Sequence, residues 1–302
     1  MTDHRQDMRR GYGAALAAYS AWGLLPIYFK LVAALGPLEI VAHRVLWSMA
    51  LLLVLIVARG RLAALRASFS GRVIVALVAS AVLIAINWLV YVWAANSGHI
   101  LAASLGYFLN PLVSVMLGVV FLKERLRRAQ MIAAAIATVG AGALAVTAMG
   151  SLWISLVLAL SFGFYGLIRK VTPVDALSGL AVETMLLGPV ALAYLVVLGP
   201  DAGLGSDSSP GLWGLVALSG VITSVPLLLF GYAARRLSLA AVGLLQYIAP
   251  SMQFLLGLIV YNEPLDPMRL ASFVIIWTGL AVFAHDAVRT ARAARDALER
   301  RQ

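Results

Sequence analysis

Four ionisable side chains stand in stretches that are otherwise apolar: Glu39, His43 and Arg44 in one, Glu183 in another. A charge near the centre of a bilayer costs about 2.5–3.5 kcal/mol on insertion scales, so its presence calls for a reason. At about 1.5 Å of rise per residue, Arg44 falls roughly 10 Å below one membrane surface and Glu183 at a similar depth from the opposite one. Two readings of Arg44 stand open. It lines or gates a solute path, or it snorkels to the interface and makes a structural hydrogen bond. His43 reads first as a structural group. Nearby segments add Asn87, Trp88, Tyr91, Trp93, Tyr107 and Asn110, several of them at the depth of Arg44, and a later one adds Gln246, Tyr247 and Gln253. Trp93 fits an ordinary interfacial belt of aromatics. Tyr107 and Asn110 sit deeper, where a hydroxyl or amide needs a partner.

Together these residues suggest a cavity. Arg44 would attract an anionic or carboxylate-bearing group, and Tyr91, Tyr107 and Tyr247 would hold an apolar body. Asn87, Asn110 and Gln246 complete the candidate lining. His43 or Glu183 could couple transport to protons, and uncoupled facilitated exchange fits equally well. Pro111 and Pro250 fall near the midplanes of their segments. Proline removes a backbone donor and frees the carbonyl one turn back, which hydrocarbon tolerates only against protein or a wet cavity. Two such kinks point to a central site.

The elements that must position these groups are membrane helices. Hydrophobic residues make up 62% of the chain and charged residues 12%, with a mean hydropathy of +0.95. A soluble domain carries roughly 25% charged residues, so a water-soluble fold is excluded. A spanning helix needs about 20 mostly apolar residues. Ten spans are expected near 11–31, 38–58, 73–94, 100–121, 129–148, 151–168, 176–198, 211–233, 238–260 and 268–286, with spans 3, 4, 8 and 9 lining the cavity. The loops are short, leaving no room for a soluble catalytic domain. Arg9 and Arg10 precede an apolar stretch that runs on toward Leu31, so a retained first helix is expected rather than a cleaved signal. In span 5, Ala133, Ala137, Ala141 and Ala145 form a small-residue face that suits close packing within the bundle or a dimer contact.

The chain repeats itself. Lys30 and Lys170, like Gly23 and Gly163, lie 140 positions apart. Pro111 and Pro250 lie 139 apart, as do Gly118 and Gly257, Glu124 and Glu263, Leu126 and Leu265, and Gly140 and Gly279. His43 and Glu183 are mates of the same kind. A unit with an odd number of spans, once duplicated, inserts its copies in opposite orientations, a recurring build of secondary transporters. The halves are read as residues 1–149 and 150–302. Of 23 Lys and Arg, 20 fall in one alternate set of loops and tails, against Lys30 and Arg269 in the other. Positive loops stay cytoplasmic, which places both termini inside. The net charge of +10 is therefore a topology signal, with no nucleic acid implied. KERLRR (Lys123–Arg128) carries its Glu-x-Leu among positive charges, and the matching NEPLDP (Asn262–Pro267) carries none. The loop Gly199–Gly211, with Asp201 and Asp207, is the longest external one. The tail beyond Asp286, with Arg289, Arg292, Arg295, Arg300 and Arg301, reads as a helical extension near anionic lipid.

Ten spans in two halves, each with Pro on its fourth helix and Glu-x-Leu thirteen residues later, resemble the EamA permeases of the drug/metabolite transporter superfamily. Gly11-Tyr12, the run Ala42-His43-Arg44-Val45-Leu46-Trp47-Ser48, Asn87-Trp88 and Tyr107-Phe108-Leu109-Asn110-Pro111 are similar to the RarD branch, the chloramphenicol-sensitive protein family. The resemblance implies a bacterial inner-membrane permease with a central cavity enclosed by helices of both halves.

The reading is an all-α polytopic secondary transporter, moving a small metabolite, amino-acid-like solute or drug by alternating access. Its partners are that solute and membrane lipid, and it works as a monomer or homodimer. With no Cys, no phosphate loop, no H-E-x-x-H and no nucleophile elbow, neither cofactor, metal site nor enzymatic chemistry is expected. The rivals are a membrane enzyme acting on lipid-linked intermediates and a regulatory membrane component without flux.

Overall fold

The computed structural model describes residues 2–97, 99–147, 149–199, 204, 209–262 and 267–299. Glu263 and Leu265 of the second Glu-x-Leu lie outside them, as do Asp201, Asp207, Arg300 and Arg301. Among the described residues the regular elements are all helical: α1 (Thr2–Gly23), α2 (Leu25–Leu31), α3 (Pro37–Ala58), α4 (Leu62–Ala67), α5 (Gly71–Asn96), α6 (Ile100–Leu122), α7 (Arg128–Thr147), a 3-10 turn (Met149–Ser151), α8 (Leu152–Val171), α9 (Ala176–Leu198), α10 (Pro210–Ala234), α11 (Leu239–Gln246), α12 (Ile248–Ile259) and α13 (Pro267–Glu299).

Among the described residues, seven stretches are long and apolar enough to cross a membrane: α3, Gly71–Ala94, Ala102–Leu122, α8, α9, α10 and Leu239–Ile259. The other expected spans are helical too, in α1 with α2, in α7 and in α13. They are less apolar, since α1 starts among charged residues, α7 is rich in Ala and Gly, and the apolar part of α13 is Leu270–Asp286.

Two expected spans are not single helices. The first divides at Leu24 and the ninth at Tyr247. Pro26 stands at the start of α2 and brings no N–H to the Trp22 carbonyl one turn back. The Gln253 amide supplies the missing donor at 3.0 Å. Pro250 sits three residues past the Tyr247 break, whereas α6 runs through Pro111 unbroken. Three helices, α9, α10 and α11, start on the groups their termini need. The side chains of Asp175, Ser209 and Ser238 accept from Ser178 N, Leu212 N and Ala241 N. Burial alone would raise the Asp175 carboxyl, but its bonds from Ser178 and Arg61 outweigh that and hold it below the usual carboxylate range.

The helices pack in a pattern that matches the sequence offsets. Close neighbours include α6 with α8, α7 with α13, α3 with α9 and α10, α5 with α8, α6 with α11, and α1 with α10 and α12. A Cβ on Gly23 would meet Met252, and one on Gly163 would meet Val113; both members of the second contact lie 140 or 139 positions from those of the first. Likewise Gly140 faces the Ser272 carbonyl and Gly279 the Ala133 carbonyl, again mates at 139. The small face of α7 is thus used inside the bundle, where Ala133, Ala137 and Ala141 are buried against α13.

The backbones of α3 and α10 approach closely at Gly220. A Cβ on Gly220 would fall 2.6 Å from the main-chain carbonyl of Trp47, while Ser48 Oγ donates to Gly220 O at 3.3 Å. Backbone cannot swing away as a side-chain tip can. Gly220→Ala is therefore expected to destabilise the bundle by about 1–3 kcal/mol, read as a lower melting temperature by intrinsic fluorescence. A variant that melts with the parent would show that the two helices separate at no cost.

Candidate functional site

A cavity of about 160 Å³ opens at the breaks in the first and ninth spans. Leu25, Pro26 and Phe29 of α2 line it, with Tyr19 and Trp22 of α1 and Phe162 of α8. Arg44 comes from α3, Asn87, Trp88 and Tyr91 from α5, and Tyr107 and Asn110 from α6. Leu227 comes from α10, Gln246 from the end of α11, and Ala249, Pro250 and Gln253 from α12.

Six of the seven residues proposed for the cavity from sequence are thereby brought together: Arg44, Asn87, Tyr91, Tyr107, Asn110 and Gln246. Tyr247 is not among them. It is buried and donates its hydroxyl to Phe108 O at 3.1 Å, so it ties α6 to the broken span. The lining is also wider than spans 3, 4, 8 and 9, since α1, α2, α3 and α8 contribute and α10 gives only Leu227.

Among the described residues, Arg44 is the only charged side chain lining the cavity. Its Nε donates to Thr223 Oγ1 at 2.8 Å, and its guanidinium carbon lies 5.2 Å from the Trp88 ring centre and 5.6 Å from that of Phe29. Such faces hold a cation without neutralising it. None of the ion pairs among the described residues includes Arg44. Tyr91 and Tyr107 meet edge to face at 5.6 Å.

The amides divide into two kinds. The Asn87 amide nitrogen is satisfied, donating to Leu158 O and Ser161 Oγ at 2.9 and 3.0 Å. Asn110 is fully buried, yet neither its Oδ1 nor its Nδ2 has a partner, and Gln246 Oε1 is likewise unpartnered. Buried polar atoms are normally bonded, so unpaired ones around a cavity call for an occupant. Two carbonyls are exempt from helix pairing in the same place. Pro111 and Pro250 offer no N–H to the carbonyls of Tyr107 and Gln246 one turn earlier, and both of those residues line the cavity.

Several lining residues are sequence mates: Trp22 with Phe162, Asn87 with Leu227, Tyr107 with Gln246, and Asn110 with Ala249. Trp22 and Phe162 touch, their rings 5.9 Å apart and nearly perpendicular. The first member of each later pair is polar or aromatic, while the second half answers Asn87 and Asn110 with Leu and Ala.

Below this, rings close the floor. Phe230 meets Trp22 at 5.8 Å and Phe162 at 5.4 Å, and it stacks on Tyr165 at 6.0 Å. Tyr165 then donates to Glu183 Oε2 at 3.3 Å. Glu183 does not line the cavity. It accepts from Ser80 Oγ at 2.5 Å and pairs with Arg169 Nη1 at 3.4 Å, both charges about 2% exposed. Arg169 also donates to Ala176 O at 3.2 Å. Its Nε has no partner, and Gly179 leaves space for its guanidinium. Its place beside Lys170 at the end of an apolar run groups Arg169 with the positive loops in the sequence, but both lie in the last turn of α8. Consecutive helical side chains diverge, so Arg169 turns inward. Lys170 turns to the Ala234 and Leu237 carbonyls and to Glu124, 3.8 Å away. Glu124 in turn accepts from Leu239 N and Ala240 N at 2.7 and 3.0 Å, capping α11. His43 is half-buried beside Glu39 at 3.9 Å and does not line the cavity. Glu39 is held by Leu204 N at 2.9 Å.

A multi-pass helical membrane protein with an interior cavity that is part aromatic, part polar and singly charged has the build of a membrane transporter. The comparisons with known proteins agree. The EamA-like transporter family model matches residues 9–146 and again residues 148–284. A Pseudomonas aeruginosa protein named as an uncharacterized transporter is 48% identical over 95% of this chain and 97% of its own. Protein RarD of Escherichia coli is 42% identical over 95% of this chain and 98% of its own. A solved crystal structure superposes with a TM-score of 0.69 at 19% identity, covering 92% of this chain and 96% of that one, which bears on the fold alone. The chain belongs to the EamA-like transporter family, in its RarD branch, and is a multi-pass bacterial membrane protein.

Proposed function

We propose that the chain is a secondary transporter working by alternating access, with ten spans in two five-helix repeats of opposite orientation. Its solute site is the cavity between them. The observation that carries this reading is the placement of that cavity. It lies where Trp22 meets its mate Phe162, at both broken spans, and around buried amide atoms that lack partners. The mated glycine contacts of α1 with α12 and α8 with α6 support a pseudo-two-fold relation between the halves. Alternating access then amounts to rocking one repeat against the other around a fixed midplane site. The aromatic floor and the Glu183–Arg169 pair form the closed side. The solute is a small metabolite, amino-acid-like molecule or drug, and both termini face the cytoplasm of the bacterial inner membrane.

Two measurements test this. Purified protein in sealed proteoliposomes, given a broad metabolite and drug panel, is expected to move at least one solute across the bilayer. Product formation in detergent without flux would instead favour a membrane enzyme. Reporters fused after residue 128 and after residue 200 are expected on opposite faces, cytoplasmic and external. Finding both on one side would break the inverted arrangement.

A further inference from the structure

The cavity carries one formal charge and, next to it, an unpaired neutral amide cluster. Arg44 is positive, and among the described residues no carboxylate lines the cavity. The two acidic groups inside apolar spans are both engaged elsewhere: Glu39 with Leu204 N, and Glu183 with Ser80, Tyr165 and Arg169 beyond the aromatic floor. A solute with an ammonium group would bring a second positive charge into a small, largely apolar space beside Arg44, with only neutral acceptors to meet it. A buried charge without a counter-charge is among the costlier arrangements in a protein. A solute of net charge −1 instead neutralises the site as a whole.

The neutral end has its own preference. Asn110 presents an NH2 donor group and a carbonyl acceptor, Gln246 an acceptor, all without partners among the described residues. Carbonyls of Tyr107 and Gln246, which their prolines leave without the helix donor, add acceptors. That set suits a hydroxyl or amide N–H, which can give a hydrogen bond and take one. A purely apolar group there would leave the amides buried and unpaired. Size follows from volume, since an apolar protein cavity of about 150 Å³ holds a benzene ring and this one measures about 160 Å³.

We propose that the cavity selects a small monoanion whose ring-sized apolar body carries one carboxylate, met by Arg44, and one neutral hydroxyl or amide group, met by Asn110 and Gln246. The class is that of aromatic hydroxy acids, and zwitterionic amino acids of the same size are disfavoured. This rests on reading the cavity as the solute site.

The test is calorimetric titration of the detergent-purified full chain with four probes sharing one ring: 4-hydroxybenzoate, benzoate, tyrosine and 4-hydroxybenzyl alcohol. Binding of 4-hydroxybenzoate is expected to be about tenfold tighter than that of each other probe, the scale set by one unmet buried polar group or charge. Asn110→Leu is expected to erase the preference over benzoate while keeping the preference over the alcohol. Asn110→Asp places a carboxylate in the lining and is expected to move the preference toward tyrosine. Tyrosine binding as tightly as 4-hydroxybenzoate, benzoate binding equally well, or no binding of either acid overturns the proposal. The probe series on the unaltered chain decides this even where the variants do not fold. Flux of some unrelated solute with no acid bound would sink the substrate class and leave the transport mechanism standing. Binding of 4-hydroxybenzoate with no flux of any solute would support the class and sink the mechanism.

Discussion

Glu183→Ala is expected to cost about 3–5 kcal/mol of folding stability, the usual penalty for stripping one partner from a buried ion pair. The loss comes from what stays behind. Arg169 would keep its charge in a site about 2% exposed, with Ala176 O as its remaining hydrogen-bond acceptor. Tyr165 would lose its acceptor as well, while Ser80 would fall back on the Leu77 carbonyl at 3.0 Å. Glu183→Gln gives up the charge and turns one of the two carboxylate oxygens, each of which accepts from a different hydroxyl, into an NH2 donor, yet it keeps the other oxygen and the volume, so it should fall between Ala and the parent. The double change Arg169→Met with Glu183→Leu should recover most of the loss, because apolar residues of similar volume often replace a buried pair without harm. Melting curves in one detergent, taken on all four proteins, provide the readout. If Glu183→Ala melts with the parent, the pair carries no stability and water reaches Arg169. If the double variant is stable but transports nothing, the pair acts in the movement between states rather than in folding. A role for Glu183 in proton coupling would need a proton route through the ring floor.

The pair also marks how far the sequence could be read. Glu183 stood out because a carboxylate in a long apolar run has few explanations, and Arg44 for the same reason. Arg169 had the opposite context. Beside Lys170 at a helix end it matched the many positive residues that mark cytoplasmic loops, and nothing in composition distinguishes the inward member of such a doublet. The small residue Gly179 opposite it, and the 14 positions separating it from Glu183, were signals that only a packed arrangement makes meaningful. The helical segments were legible because apolar runs of spanning length are hard to mistake. Their breaks were harder to see, since Pro26 lies at a turn while Pro111 passes through an intact helix. Six of the proposed cavity residues gather in one place because all are polar or aromatic groups at middle depth. Tyr247 shares those properties and differs only in the direction its side chain takes, toward Phe108 O. The aromatic floor of Trp22, Phe162 and Phe230 is not legible in the sequence because isolated aromatics in membrane helices are common, and only their contact in the fold makes them a barrier.

Arg44→Lys is expected to lower transport about tenfold or more while folded yield holds, and Arg44→Ala to lower it further. The guanidinium is a flat fork. One edge is spent on Thr223 Oγ1 through Nε at 2.8 Å, and its plane lies near the rings of Trp88 and Phe29. The other nitrogens are left for an anion, and a planar bidentate donor is not replaced by an ammonium. Lysine would keep the charge but lose both the Thr223 anchor and the paired geometry, so affinity should fall more than the maximal rate. Thr223→Val separates anchoring from charge. It removes the acceptor that aims Arg44 and should raise the apparent KM by several-fold with the guanidinium still present. The alternative is that Arg44 merely joins α3 to α10 and rests against its aromatic neighbours, in which case its loss is felt as lower stability and Thr223→Val has the same signature. Flux from each variant at matched folded protein therefore decides between a solute ligand and a structural cation. A well-folded Arg44→Ala protein with unimpaired flux would leave the cavity without its anion-binding charge, and the solute would have to be neutral.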